Sequence, residues 1–248
     1  MSCIFRAEDL VFKADNREIL SGISFAVDRG QLMAVCGPNG AGKSCLLRIL
    51  KGLSRPHSGK IFFSEQDCTK NEKLRLSKTG LVFQDADVQT IGETVEKDIA
   101  FGPRNLKMGK DEIKRAVDDA ISFFDLEKFR KQGPETLSGG ERRKLVIAGV
   151  IAMDPEVIML DEPFANLDYR GVQMVLRAIL KLKESGRTII LVSHEVEKFL
   201  GLCDRVLIIN DGKSVFEGEP EEAKRHFKEN GIHCSDLPLD KLNWLEEE

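Results

Sequence analysis

Three glycines and a lysine crowd the stretch CGPNGAGKSCLL, Cys36 to Leu47, between two apolar segments. Glycine weakens the interior of a helix or a strand, so a stretch this rich in it reads as a turn whose backbone is in use. Before it, QLMAVC (Gln31 to Cys36) is a short apolar run of strand formers. After it, Leu46, Leu47, Ile49, Leu50 and Leu53 recur at helical spacing. The glycines therefore mark a strand-to-helix turn. Gly37 and Gly42-Lys43-Ser44 fit G-x-x-x-x-G-K-[ST], a pattern that wraps phosphate. Glycines let backbone N–H groups converge on an anion, and the helix N-terminus adds partial positive charge. Lys43 is expected to reach β- and γ-phosphates, and the Ser44 hydroxyl to ligate Mg²⁺. Pro38, Asn39, Gly40 and Ala41 complete the expected nucleotide-binding loop, with Cys45 following it.

Length and charge narrow the field. At 248 residues the chain can hold one large α/β domain or a core with a subdomain. Its 37 basic and 41 acidic side chains leave a net charge of −4, so no basic excess exists to displace counterions from nucleic acid. No apolar run is long enough for a membrane span, and MSCIFRAEDL lacks the apolar stretch of a signal peptide. The expectation is a cytosolic protein. Six cysteines, none in C-x-x-C spacing, read as free thiols, mostly buried, and not as a zinc site.

Along the chain, residues 3 to 29 alternate apolar and polar and read as two or three strands. GKIFFSEQD and TGLVFQD read as further strands. Then the pattern turns helical through TVEKDIAFG, KDEIKRAVDDAISFFDL, EKFRKQG and ERRKLVIAGVIAM. Strands and helices alternate afterwards, which implies a parallel sheet. The expected organisation is an α/β core of residues 1–85 and 154–230, its N-terminal part a β subdomain, with a helical insertion over 86–153 and a tail over 231–248. DKLNWLEEE in that tail reads either as a docking segment or as a solvated end.

Two stretches add chemistry. VIMLDEP is an apolar strand ending in Asp161 and Glu162. Asp161 would hold Mg²⁺ through water, and Glu162 would sit by the γ-phosphate as general base to the attacking water. TLSGGERRK places Ser138, Gly139 and Gly140 at the start of an apolar helix, a second set of amides and a hydroxyl suited to an anion. One chain then has two phosphate cradles but one lysine and one acidic pair. The economical reading is that the second cradle closes on nucleotide held by another copy.

In these residues the sequence resembles the ATP-binding cassette (ABC) ATPases over nearly its whole length. The loop GPNGAGKS, Gln84 in VFQD, the signature LSGGE from Leu137 to Glu141, IMLDEP, ANLD ending at Asp168, and His194 in LVSHE occur in the family's order. The resemblance implies a P-loop NTPase (RecA-like) fold, with a mostly parallel sheet, an antiparallel β subdomain and an inserted α-helical subdomain. It implies an ATPase using ATP and Mg²⁺. Gln84 would contact the metal and sense a transmembrane partner, and His194 would bond the γ-phosphate. Ser138, Gly139, Gly140 and Glu141 would clamp ATP on the opposite subunit, with Asp168 in the D-loop. VFQDADVQTIGETVEKDIAFGP further resembles the energy-coupling-factor importers of cobalt, nickel and vitamins, at Asp87, Gln89, Thr94, Val95, Asp98, Ala100, Phe101, Gly102 and Pro103, with Ala86 where that group has proline.

The expected function is therefore the ATP-hydrolysing subunit of an ABC importer. It would pair with a second ATPase and a membrane permease at the cytoplasmic face of the membrane. The alternative is a non-transport ABC ATPase of DNA maintenance or translation. Between Gly42 and Ser138 there is no sustained heptad for the long coiled coils of the first, and the chain holds one cassette where the second usually holds two. A catalytically silent cassette is disfavoured, because Lys43, Gln84, Asp161, Glu162 and His194 are all present. One departure stands out. Ala14 falls where the family has a tyrosine that stacks on adenine, which leaves stacking weak or assigned to Phe12 or another residue.

Overall fold

A computed structural model describes residues 2–15, 17–85 and 88–245. Ala86, Asp87 and the last three glutamates therefore lie outside the described residues. Two sheets form the chain's frame. In the first, β1 (Cys3–Ala14) and β2 (Arg17–Asp28) make a long hairpin, and β4 (Ser58–Phe63) and the short β5 (Gln66–Asp67) extend it, in the order β2-β1-β4-β5. All these pairings are antiparallel. The second sheet has the order β10-β9-β3-β8-β7-β6, with β3 (Leu32–Cys36), β6 (Thr79–Val82), β7 (Val157–Asp161), β8 (Thr188–Val192), β9 (Arg205–Asn210) and β10 (Lys213–Gly218). Only β10 runs antiparallel to its neighbour.

The apolar runs of the central strands follow from this placement. A parallel strand covered on both faces needs no polar side. Along β3, Met33 and Val35 enter one core, shared with the antiparallel sheet and α1 (Lys43–Lys51). Leu32, Ala34 and Cys36 enter the other, under the helices. Strand β7 splits the same way, Val157 and Met159 against Ile158 and Leu160. Full burial of each such side chain contributes about 1.5–3 kcal/mol.

Between β6 and β7 every helix of the central insertion is found: α3 (Val95–Ile99), α4 (Phe101–Asn105), α5 (Lys110–Phe123) and α6 (Gly139–Ile151). TVEKDIAFG is not one helix, because Ala100 caps α3 and opens α4. EKFRKQG yields only a 3-10 turn at Glu127–Phe129. Preceding β6 is α2 (Glu72–Lys78), which the apolar pattern does not announce. After β7 come α7 (Tyr169–Glu184) and, past β10, α8 (Pro220–Phe227). The tail is neither a solvated end nor a free docking segment up to Leu245. Ile232 and Leu242 are buried in the helical-side core, with Leu239, Trp244 and Leu245 packed on it.

Candidate functional site

The glycine-rich loop leaves the end of β3 and enters α1. Two of its glycines are obligatory. Gly37 has φ 150°, and a Cβ there would come within 2.0 Å of the Ile209 carbonyl oxygen. Gly42 has φ 100° and caps α1, and its Cβ would lie 2.6 Å from Leu20 Cδ2. Lys43, only 7% exposed, folds its Nζ back onto the loop, donating to the carbonyls of Gly37 at 2.7 Å and Pro38 at 3.0 Å. Burial pushes its pKa down, against the pull of the Glu162, Cys36 and Asp161 charges.

Next to the loop, β7 delivers both carboxylates. Ser44 Oγ donates to Asp161 Oδ1 at 3.1 Å, which joins two of the three predicted metal ligands. Burial raises the Asp161 pKa, and the Glu162 charge adds to it, while Ser44 and Lys43 oppose the rise. Glu162 stands at φ 44°, an uncommon backbone for a side chain with a Cβ. It is held there by its amide bond to Val192 O at 2.9 Å, by Ser193 Oγ at 2.9 Å on Oε2, and by His194 Nδ1 at 2.9 Å from Oε1. The adjoining ends of β7 and β8 thus lock the carboxylate by both oxygens. Ser193, fully buried and bonded to Glu162, is a site residue that the sequence reading missed; its position in VSHE is the only signal for it.

A second cluster is built by α6. Ser138 caps this helix and shares a reciprocal capping box with Glu141, with Ser138 Oγ donating to Glu141 Oε2 at 2.7 Å. Gly140 is buried where a Cβ would meet Gly171 Cα of α7 at 2.9 Å. Helix capping and close packing therefore give local reasons for residues that the sequence reading assigned to an anion cradle alone. Gly139 stays exposed, and with Gln84, Arg142, Asn166 and Leu167 it lines a polar cavity of about 480 Å³. No residue of the Gly37–Ser44 loop lines this cavity.

Arg143 ties the two regions together. It is buried, and it donates to the Phe83 and Gln84 carbonyls, each at 2.8 Å. The signature helix thereby grips the Gln84 backbone, a link that ERRK does not reveal. Gln89 braces the same segment, accepting from the Phe83 amide at 2.9 Å and donating to Leu81 O at 3.0 Å. Asp98 Oδ1 accepts from the amides of Ile91 and Gly92, each at 2.7 Å. Asp168 caps α7 through Gly171 N at 2.7 Å. Ala14 is half-buried at the end of β1, and Phe12 is already engaged edge-on with His57, 5.7 Å between ring centres.

A P-loop between β3 and α1 of a parallel sheet, a carboxylate pair on the neighbouring strand and a signature helix on an inserted helical subdomain define an architecture that comparison can check. The family described as ABC transporter matches residues 20–165. The chain belongs to this family. Its closely similar relatives include the energy-coupling factor transporter ATP-binding protein EcfA2 of Clostridium tetani, 43% identical over 83% of this chain and 74% of that protein. EcfA of Methanocaldococcus jannaschii is 39% identical over 88% of this chain and 80% of that one. Among solved structures, CbiO1 of Clostridium perfringens, part of the ABC transporter complex CbiONQ, superposes with TM-score 0.83 at 32% identity, covering 92% of this chain and 94% of that one. An ABC transporter cassette in its ADP conformation has TM-score 0.84 at 23% identity over 94% and 97% of the two chains, a likeness of fold. The cassette is thus an ATP-binding ATPase homologous to the energy-coupling-factor transporter ATPases, and the transport reading prevails over DNA maintenance or translation.

Among the described residues no group of three or more His, Cys, Asp or Glu side chains could hold a metal. Ser44 and Asp161 nonetheless fit Mg²⁺. Both offer hard oxygen atoms at one point, and Mg²⁺ typically takes only one or two protein ligands beside substrate phosphates and water.

Proposed function

We propose that this ATPase energises an importer of the energy-coupling-factor class, for a metal ion or a vitamin, from the cytoplasmic face of the membrane. The observation that carries the catalytic part is Glu162, fixed by Ser193 and His194 beside the Ser44–Asp161 pair. In this reading Glu162 takes the proton of the attacking water as the water oxygen bonds the γ-phosphorus and the bond from that phosphorus to the β–γ bridging oxygen breaks, so that ADP leaves. His194, bound to Glu162 through Nδ1, keeps Nε2 for a γ-phosphate oxygen. Lys43 leaves its two loop carbonyls for β- and γ-oxygens when nucleotide enters. Ser44, Asp161 and Gln84 would hold Mg²⁺, which would supply positive charge against that developing on the phosphate. Gly37–Cys45 wraps the phosphates. Ser138, Gly139, Gly140 and Glu141 face ATP on a second cassette, identical or related, with Asp168 beside the shared surface.

The permease side rests on α3 and α4. Val95 and Ile99 are fully buried, so they close the core of the insertion and are not docking residues. Ile91, Phe101 and Leu106 are exposed, and they rim a largely apolar cavity of about 320 Å³ that Gln89 and Asp98 also line. Because Gln89 bonds the backbone at Phe83, one residue from Gln84, a helix seated in this groove is mechanically linked to the phosphate site. The test pairs Glu162→Gln, expected to bind ATP without turnover, with Phe101→Asp in the complete transporter. Loss of membrane co-purification with an unshifted melting temperature supports the groove. Retained association with full transport-coupled turnover contradicts it.

A further inference from the structure

The chain's only tryptophan, Trp244, is placed between two segments that flank the site. Its ring packs on Tyr169, with 5.4 Å between centroids, and Tyr169 follows Asp168 directly at the start of α7. Over the same indole lies Lys198 Nζ, 4.8 Å from a ring centroid. The backbone is engaged on both sides as well. The Trp244 amide donates to Lys198 O at 3.0 Å, and its carbonyl accepts from Gln173 Nε2 of α7 at 3.3 Å.

From Lys198 the contacts run straight to the catalytic carboxylate. Buried Lys198 pairs with Glu195. The Glu195 amide donates to Ser193 Oγ at 3.1 Å, and Ser193 donates to Glu162. The close approach of the tail is also fixed: the Gly201 amide donates to Leu242 O at 2.8 Å, and a Cβ on Gly201 would come within 2.1 Å of Leu239 O. One side chain therefore touches both the segment that follows His194 and the residue that follows Asp168.

We propose that Trp244 is a positioning residue that couples the D-loop to the switch-histidine segment, so that displacement of Asp168 by a second cassette is passed to Ser193, His194 and Glu162. The inference rests on the catalytic reading of Glu162 given above. It assigns the C-terminal segment to the timing of hydrolysis and not to nucleotide affinity, because no contact of Trp244 reaches the Gly37–Ser44 loop among those described.

Trp244→Ala and Trp244→Phe in the full chain test it. Loss of a stacked aromatic pair and a cation–π contact is expected to lower kcat roughly tenfold in Trp244→Ala, at temperatures well below its melt. ATP affinity stays within about twofold, since a purely positioning role leaves ground-state binding alone. Trp244→Phe, which keeps a ring, restores most of the rate. In the unsubstituted chain the single indole reports directly: its emission shifts when ATP and Mg²⁺ are added and not with ADP. A Trp244→Ala enzyme that melts early but has full kcat when folded makes the residue merely structural and overturns the proposal, as does an emission blind to ATP. Normal turnover by Glu162→Gln would instead remove the catalytic reading, and the emission response separates that failure from this one.

Discussion

Glu162 carries a strained backbone, and strain at φ 44° costs of order 1–3 kcal/mol unless neighbours impose it. Here Ser193 and His194 from the adjoining strand impose it, one on each carboxylate oxygen. Glu162→Gln keeps the shape and loses the base, so kcat should fall by about 10²–10⁴-fold with ATP binding retained. Asp161 gives a prediction of opposite sign for stability. Its folded pKa is raised by burial, so the native state binds more protons than the unfolded chain between the two values. Stability therefore falls as pH rises through that window, and the loss is complete above the raised folded value. Asp161→Asn should melt higher than the parent at pH 7 without nucleotide, with the difference vanishing at acidic pH, while hydrolysis is lost. Calorimetry across pH checks it. At Ala14, addition of a ring should tighten ATP binding, because stacking on a base is worth ~1–3 kcal/mol. An unchanged affinity in Ala14→Tyr would place adenine elsewhere.

At the scale of elements, the phosphate loop, the carboxylate strand and the signature helix were legible because each combines a fixed residue pattern with a change of period. The Gly37 and Gly42 conformations explain why that pattern tolerates no other residue there. The links between elements were not legible. Arg143 and Gln89 act on backbone carbonyls and amides, which no sequence displays. Strand β10 and helix α2 escaped for a related reason: β10 is an edge strand of alternating exposure, and α2 is short and mostly exposed, so neither has a continuous apolar signal. Gly140, besides its proposed place in the cradle, is buried against Gly171, a packing requirement between α6 and α7 that the pattern does not display. Gly140→Ala should accordingly destabilise by ~1–3 kcal/mol through overpacking, seen as a lower denaturant midpoint. Arg143→Met leaves the Phe83 and Gln84 carbonyls without their donor. A loss of ~1–3 kcal/mol for such orphaned groups is expected, together with weaker coupling of the insertion to nucleotide.

Over the whole molecule, two cores meet across the parallel sheet. One holds the P-loop helix against the antiparallel sheet, and the other holds the signature, D-loop and C-terminal segment together. The division sets the insertion helices in one core and the P-loop helix in the other, with β3 and β7 contributing side chains to both. It also explains why the change of period between β6 and β7 was easier to read than the tail: a change from strand to helix period is local, while Trp244 meets Tyr169 and Lys198 only through the fold. In the proposed function, hydrolysis needs Ser138 of one cassette over ATP bound at Lys43 of another. The direct measurement is the solution mass of the Glu162→Gln chain with saturating ATP and Mg²⁺, with and without Ser138→Arg. The expected result is a dimer that ATP induces and that Ser138→Arg abolishes without loss of ATP binding. A monomer that stays monomeric with ATP bound while the unsubstituted chain hydrolyses ATP at a rate per molecule independent of its concentration would contradict it.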